Sequence, residues 1–207
     1  MLYSYKMTDD TGFAPNPFFG FLTLATCKPL IRKKKRVGDY IAGFTSKELC
    51  GDPPGHERLV YIMKVTDKIS FDEYWAGERF AVKKPSRQSL EAIRGDNIYE
   101  PIIPGGPFST SNYKQIPNFF HDEKRVPHDV SGQFVLVSED FYYFGAGAIP
   151  IDQFRIVIPR TQTPHGVKTS DEREIEKLMA YLASRHTKDV SFNMPHRWDH
   201  IGAPNDR

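Results

Sequence analysis

Cys27 and Lys28 stand side by side at the end of an apolar run, followed by Arg32-Lys33-Lys34-Lys35-Arg36 and by Asp39 in a Gly-Asp turn. A thiol beside cations is a potential nucleophile, since a neighbouring positive charge favours the thiolate. A cysteine at a strand end is also a small buried hydrophobe, and rim packing is the preferred assignment for Cys27. Asp39 and Asp96 each follow a glycine, where a carboxylate commonly caps backbone N–H groups; acid or base work is the alternative. Cys27, Lys28 and Asp39 are thus the catalytic candidates, and no reaction is named by them. The basic run reads either as a solvated loop or as a phosphate-holding patch. A second basic patch, Lys83, Lys84 and Arg87, lies downstream.

Aromatic side chains form a second group. Most of the 15 Phe and 10 Tyr must be core, yet Tyr and Trp beside turns and cations can stack on an exposed base. Tyr40 and Trp75 are the stacking candidates. The pairs His121-Asp122 and His128-Asp129, and the stretch His196 to His200, lie in separate loops with no shared helical face. They match no ligand spacing, so they are assigned structural or solvent-exposed roles and no metal is expected. Phosphate-loop, serine-hydrolase and dinucleotide signatures are missing from the sequence.

The elements that would position these groups are mostly strands. Leu2 to Met7 alternates, Phe18 to Ala25 is an apolar run closed by Pro29, and Gly38-Asp39 turns into Tyr40–Phe44. Arg58 to Val65 and Gln133 to Ser138 are rich in β-branched and aromatic residues. Phe141 to Gly145 continues as an aromatic edge. Ser70 and Glu73 form a capping box ahead of Tyr74-Trp75. The stretch 101–117 reads as a long loop. Near the end, Ile175, Leu178, Met179 and Leu182 make one apolar stripe on a helix that Ser170 would cap. These patterns predict an α+β fold, a mainly antiparallel sheet or small β-barrel with flanking helices. A single domain is expected over 1–207, with a β core to residue 160, a helix over 170–186 and a coil tail from 187.

The totals narrow the class. At 39% apolar and 13% aromatic residues the chain can build a core, and a net charge of +2 makes any nucleic-acid attraction local rather than global. Two cysteines make no disulfide framework. No apolar window approaches the ~18 residues of a membrane span, and the N-terminus lacks the pattern of a signal peptide. A cytoplasmic protein without membrane association is expected. Oligomeric state is not encoded legibly.

Two resemblances follow from particular motifs. V-G-D-Y-I-A-G-F, then R-L-V-Y-I-M-K-V-T-D and an aromatic helix start, resembles PUA-like domains of the ASCH, EVE and YTH group. More closely, Y-K-M-T-D-D-T-G-F-A-P-N-P-F, T-C-K-P-L-I-R, G-D-Y-I-A-G and G-D-N-I-Y together resemble the second nucleotide modification associated domain family, over most of residues 1–150. That resemblance implies a role around modified nucleotides or modified DNA in bacterial or phage modification or defence systems. It points to Lys6, Asp9, Asn16, Cys27, Lys28, Arg32, Asp39 and Asp96. The expected function is the reading of a modified nucleobase or nucleotide. Lys6, Asn16, Lys28, Arg32, Tyr40 and Trp75 would bind it, with no cofactor. The alternative is an enzyme, a hydrolase or transferase, that processes such a base. The expected partner is a nucleotide or nucleic acid carrying a modification.

Overall fold

Residues 1–199 are described by the computed structural model. In chain order the strands and helices are β1 (Leu2–Lys6), β2 (Leu22–Leu24), α1 (Pro29–Lys34), β3 (Tyr40–Phe44), α2 (Lys47–Cys50), β4 (Leu59–Lys64), β5 (Asp67–Ser70) and α3 (Phe71–Ala76). There follow α4 (Leu90–Ile93), β6 (Tyr99–Pro101), β7 (Tyr113–Gln115), α5 (Val126–Val130), β8 (Phe134–Ser138), β9 (Phe141–Tyr143), β10 (Val167–Thr169) and α6 (Glu172–Arg185).

Three sheets result. Five strands pair in the order β10-β1-β3-β4-β9, with β1 and β3 parallel and the other pairs antiparallel. A parallel pair needs a crossover, and the crossover between β1 and β3 is the segment that carries β2 and α1. An antiparallel sheet β2-β8-β5 and a hairpin β6-β7 complete the set. The fold is α+β; none of the described sheets closes into a barrel.

Alternation explains the layering. Ile41, Tyr61 and Met63 face Leu22, Leu24 and Leu136 between the two larger sheets. Ala42, Phe44 and Ile62 point the other way, onto Ile175, Leu178 and Leu182 of α6. On the far side of the smaller sheet, Val135 and Val137 pack with Phe71, Tyr74, Tyr99 and Tyr113. A register shift at Gly43/Phe44 pairs Gly43 with Tyr61 and Phe44 with Leu59. The unpaired Val60 then joins Tyr61 on the inner face, as expected where a bulge sets two residues against one.

Local chemistry sets several boundaries differently from the sequence pattern. Pro29 does not merely end a strand; at the first position of α1 it presets a helical φ, so Arg32, Lys33 and Lys34 of the basic run lie in a helix instead of a loop. The strand expected over Phe18–Ala25 shrinks to Leu22–Leu24, because Phe19 and Gly20 take positive φ in a turn. The long loop holds β7, which pairs back with β6 just ahead of it. The Ser70–Glu73 capping box is complete. Asp171, not Ser170, caps α6, accepting from Arg173 and Glu174 N–H groups.

The segment after α6 has no helix or strand among the described residues, and its last part, 200–207 with His200, lies outside them. It is nevertheless fastened down. Phe192 and Ala146 N–H groups bind Tyr143 and Met194 carbonyls. Asp10 accepts from the Tyr143 hydroxyl at 2.5 Å and from the His196 N–H at 3.1 Å. Arg94 donates to the Trp198 carbonyl and lies 3.8 Å from its ring centroid. No helix of the described residues is long and apolar enough to cross a membrane.

Gly43 is a close-approach site. A Cβ there would sit 2.4 Å from Tyr61 Cε1 and 2.5 Å from Met7 Sδ. Tyr61 is fully buried and its hydroxyl is 2.8 Å from that of Tyr5, so the ring cannot yield cheaply. Gly43→Ala is expected to cost about 1–3 kcal/mol through overpacking. Urea unfolding measures it, and a midpoint equal to that of the parent would refute the close packing.

Candidate functional site

Strand β2 runs into an elbow that leads directly to α1. At the elbow Cys27 and Lys28 both have positive φ, 54° and 39°. Two successive non-glycine residues in the left-handed region are uncommon and costly. The elbow is held by hydrogen bonds instead. Arg32, buried one turn into α1, donates through Nε to the Cys27 carbonyl at 2.8 Å and through Nη1 to the Phe134 carbonyl at 2.9 Å. Its Nη2 donates to the Asp129 carbonyl. One guanidinium thereby joins the elbow, α5 and β8.

Asp129 holds the elbow from the other side. Its Oδ1 accepts the Cys27 N–H at 2.9 Å, and its Oδ2 accepts the Tyr99 hydroxyl at 2.6 Å. His121 Nδ1 lies 2.8 Å from the same Oδ2, an ion-pair approach more than an aligned hydrogen bond. The other ring nitrogen, Nε2, is 3.5 Å from Cys27 Sγ. Thiol, imidazole and carboxylate therefore stand in series, with Phe13 against the edge of the imidazole at 4.9 Å between centroids.

The electrostatics follow. Burial opposes charge on His121, but Asp129 and Cys27 outweigh it and push the ring up to about 10. Burial likewise opposes charge on Asp129, yet His121 and Arg32 hold its carboxyl below the usual range. Burial pulls Lys28 down, partly offset by Cys27.

These groups border a cavity of about 760 Å³, within the ~300–1,000 Å³ of ligand pockets. Tyr5, Phe13 and Phe120 supply aromatic wall, and Lys28 and Arg125 supply charge. Cys27, His121 and Asp129 are also the one group of potential metal ligands among the described residues, with donor atoms within 4.8 Å of one another. Their order argues against that use. The imidazole lies between sulfur and carboxylate, with Nε2 3.5 Å from Cys27 Sγ and Nδ1 2.8 Å from Asp129 Oδ2. Both Asp129 oxygens already accept hydrogen bonds. A tetrahedral metal needs donors converging on one point.

Of the residues singled out from sequence, Cys27, Lys28 and Asp9 line this cavity. Lys6 lies outside that lining, 2.6 Å from Glu57 and donating to the Arg160 carbonyl. Asn16 is buried, donating to the Arg94 carbonyl and accepting from Lys83. Asp96 accepts from Tyr74 and Thr23 hydroxyls, and Asp39 caps its turn by accepting the Arg36 N–H. Tyr40 borders a separate hollow with Met1 and Glu172. Trp75 lies on α3 under the Lys84 ammonium, 3.8 Å from its centroid. Reasoning on spacing missed His121, Asp129 and Tyr99. The two His-Asp pairs were visible, but one member of each meets the other only in space.

The chain is thus an α+β protein whose aromatic and basic cavity carries a Cys-His-Asp series on a strand-to-helix elbow. Residues 1–201 match the model of the family described as nucleotide modification associated domain 2, and the chain belongs to that family. The match runs through α6, beyond the residues whose motifs carried the resemblance. No curated protein and no solved structure matches the chain, so the PUA-like likeness rests on its sequence motif alone.

The pH dependence of the His121–Asp129 contact has a definite sign. A histidine raised from 6.5 to about 10 contributes stability that is complete below 6.5 and lost as pH rises through about 10. A depressed aspartate contributes above its ordinary 3.8 and loses that as pH falls. His121→Gln should therefore destabilise most between those ordinary values, with the deficit shrinking toward pH 10. Unfolding free energies of both proteins across this range test it; a constant deficit would mean the ion pair is not formed.

Proposed function

We propose that this protein is an enzyme that processes a nucleobase or nucleotide through a cysteine nucleophile, as a hydrolase or transferase. The observation that carries the reading is the Cys27–His121–Asp129 series opening into the cavity. A sulfur set beside an imidazole and next in sequence to a lysine is a general setting for a cysteine nucleophile. The 3.5 Å from Sγ to Nε2 is in the looser range usual before substrate tightens such contacts. Cys27 Sγ attacks an electrophilic carbon, forming an S–C bond. The bond to the leaving group breaks, and His121 Nε2 gives the departing group its proton. Water or another acceptor then attacks the same carbon, losing its proton to His121 as the S–C bond breaks. Asp129 orients the ring throughout and stabilises it whenever it is protonated, and Tyr99 fixes Asp129.

Family membership supports a nucleotide theme for the substrate, and the Phe13–Phe120 wall suits a planar base. That wall also favours a second reading, binding of a modified base without turnover, for which the sulfur would be incidental.

Iodoacetamide separates the two. In a Cys50→Ser background, so that the exposed second thiol is silent, Cys27 should alkylate as a single mass addition. His121→Gln should slow that reaction about tenfold or more, as expected when a thiol loses its activating cation. A rate unchanged by His121→Gln would remove Cys27 as nucleophile and leave the binding reading.

A further inference from the structure

The charges bordering the cavity do not cancel. Asp129 is committed to His121 and the elbow. Asp9, the other acid on the lining, lies 3.3 Å from Arg197 Nη1 and caps the Asp10 N–H. Lys28 and Arg125 have no carboxylate partner among the described residues. Lys28 is the more telling of the two. Its ammonium is half-buried, 4.8 Å from the Tyr5 centroid, adjacent in sequence to the thiol, and makes no hydrogen bond to the described protein. Withdrawing an ammonium from water without a partner is costly. The cost is recovered when an anion enters.

The surrounding surface limits how large the anion's carrier can be. A polynucleotide needs a basic track leading away from the cavity, and the basic run does not provide one. Arg32 is consumed by three carbonyls. Lys35 is buried against Tyr3, 3.4 Å from its centroid. Lys68 takes the carbonyls of Lys33 and Lys35, fixing the exit of α1. The exposed remainder, Lys33, Lys34 and Arg36, is not on the cavity lining. Downstream, Lys83 is wholly buried on Asn16 and Phe21 oxygens, and Lys84 is folded over Trp75. Within the two basic clusters Arg32, Lys35, Lys83 and Lys84 are absorbed into structure, and the exposed Lys33, Lys34, Arg36 and Arg87 lie off the cavity, whereas Lys28 and Arg125 stand on its lining.

Resting on the reading of Cys27 as nucleophile, we propose that the substrate is a free nucleoside monophosphate. Its phosphate lies against Lys28 and Arg125, and its base packs on the Phe13–Phe120 pair. Lysine suits this task as a compact point charge for phosphate. A cavity of about 760 Å³ is large enough to enclose one nucleotide. The phosphate then anchors the substrate, and the base or its substituent presents the carbon to sulfur.

The test is equilibrium binding to the Cys27→Ala protein, which cannot turn over. The probes are 2′-deoxynucleoside 5′-monophosphates of each common base, the matching nucleosides and a short single-stranded oligonucleotide. The monophosphates should bind about tenfold or more tighter than the nucleosides, and Lys28→Gln should erase most of that difference. Inorganic phosphate should compete with the monophosphates. If Lys28→Gln fails to fold, Arg125→Gln at the exposed rim and the phosphate competition decide the matter. Nucleosides binding as well as monophosphates, or an oligonucleotide binding more tightly than either and weakening on Lys33→Gln/Lys34→Gln, would overturn the proposal. Its failure is separable from that of the enzyme reading. His121-dependent alkylation with no monophosphate preference leaves the nucleophile and removes the phosphate site; the reverse pattern leaves the phosphate site and removes the nucleophile.

Discussion

The carboxylate of Asp129 is the point on which the site depends. It is buried, it is ionised, and it has more than one obligation: the Cys27 N–H on one oxygen, the Tyr99 hydroxyl and His121 on the other. A buried charge is tolerable only when paired and fully hydrogen-bonded. Each partner comes from a different part of the chain: the elbow after β2, the hairpin strand β6, and the loop ahead of α5. Neutralising the carboxylate electrostatically thus forces three segments into one place. The geometry that satisfies it is also the geometry that sets imidazole beside thiol.

Arg32 complements this from the opposite charge. It has no carboxylate partner among the described residues; its donors go to main-chain carbonyls of Cys27, Phe134 and Asp129. Such a guanidinium is a splice for segments that cannot pair as strands. It lets a cysteine and a lysine adopt left-handed backbone that neither would hold alone. The sheets behind it supply rigidity: Tyr5 and Tyr61 share a hydroxyl contact across β1 and β4, and Gly43 allows that pair its room.

Much of this framework was legible in the sequence, for reasons that are local. The Ser70–Glu73 box and the stripe of α6 repeat within a few residues, and β4 announces itself by composition. Cys27 and Lys28 were visible as neighbours. The rest of the site was not, because Cys27 and His121 are 94 positions apart and meet only through tertiary folding. The basic run misled in a different way. Charges in a row read as surface, but Pro29 winds them into a helix, and helical geometry then turns Arg32 inward while leaving Lys33 and Lys34 outside. Period, not charge, decided which cations were free.

The fastening of the segment near His196 to Asp10 bears on the order in which the cavity comes into being. Thr8, Asp9 and Thr11 form one wall of it, and the residue among them, Asp10, is gripped by Tyr143, His196 and Arg197. A ribosome delivers the thiol early and these clasps late. During synthesis the Cys27 thiol therefore emerges long before the residues that clasp this wall. The cavity wall at Thr8–Thr11 is thus secured only once Tyr143, His196 and Arg197 have been made.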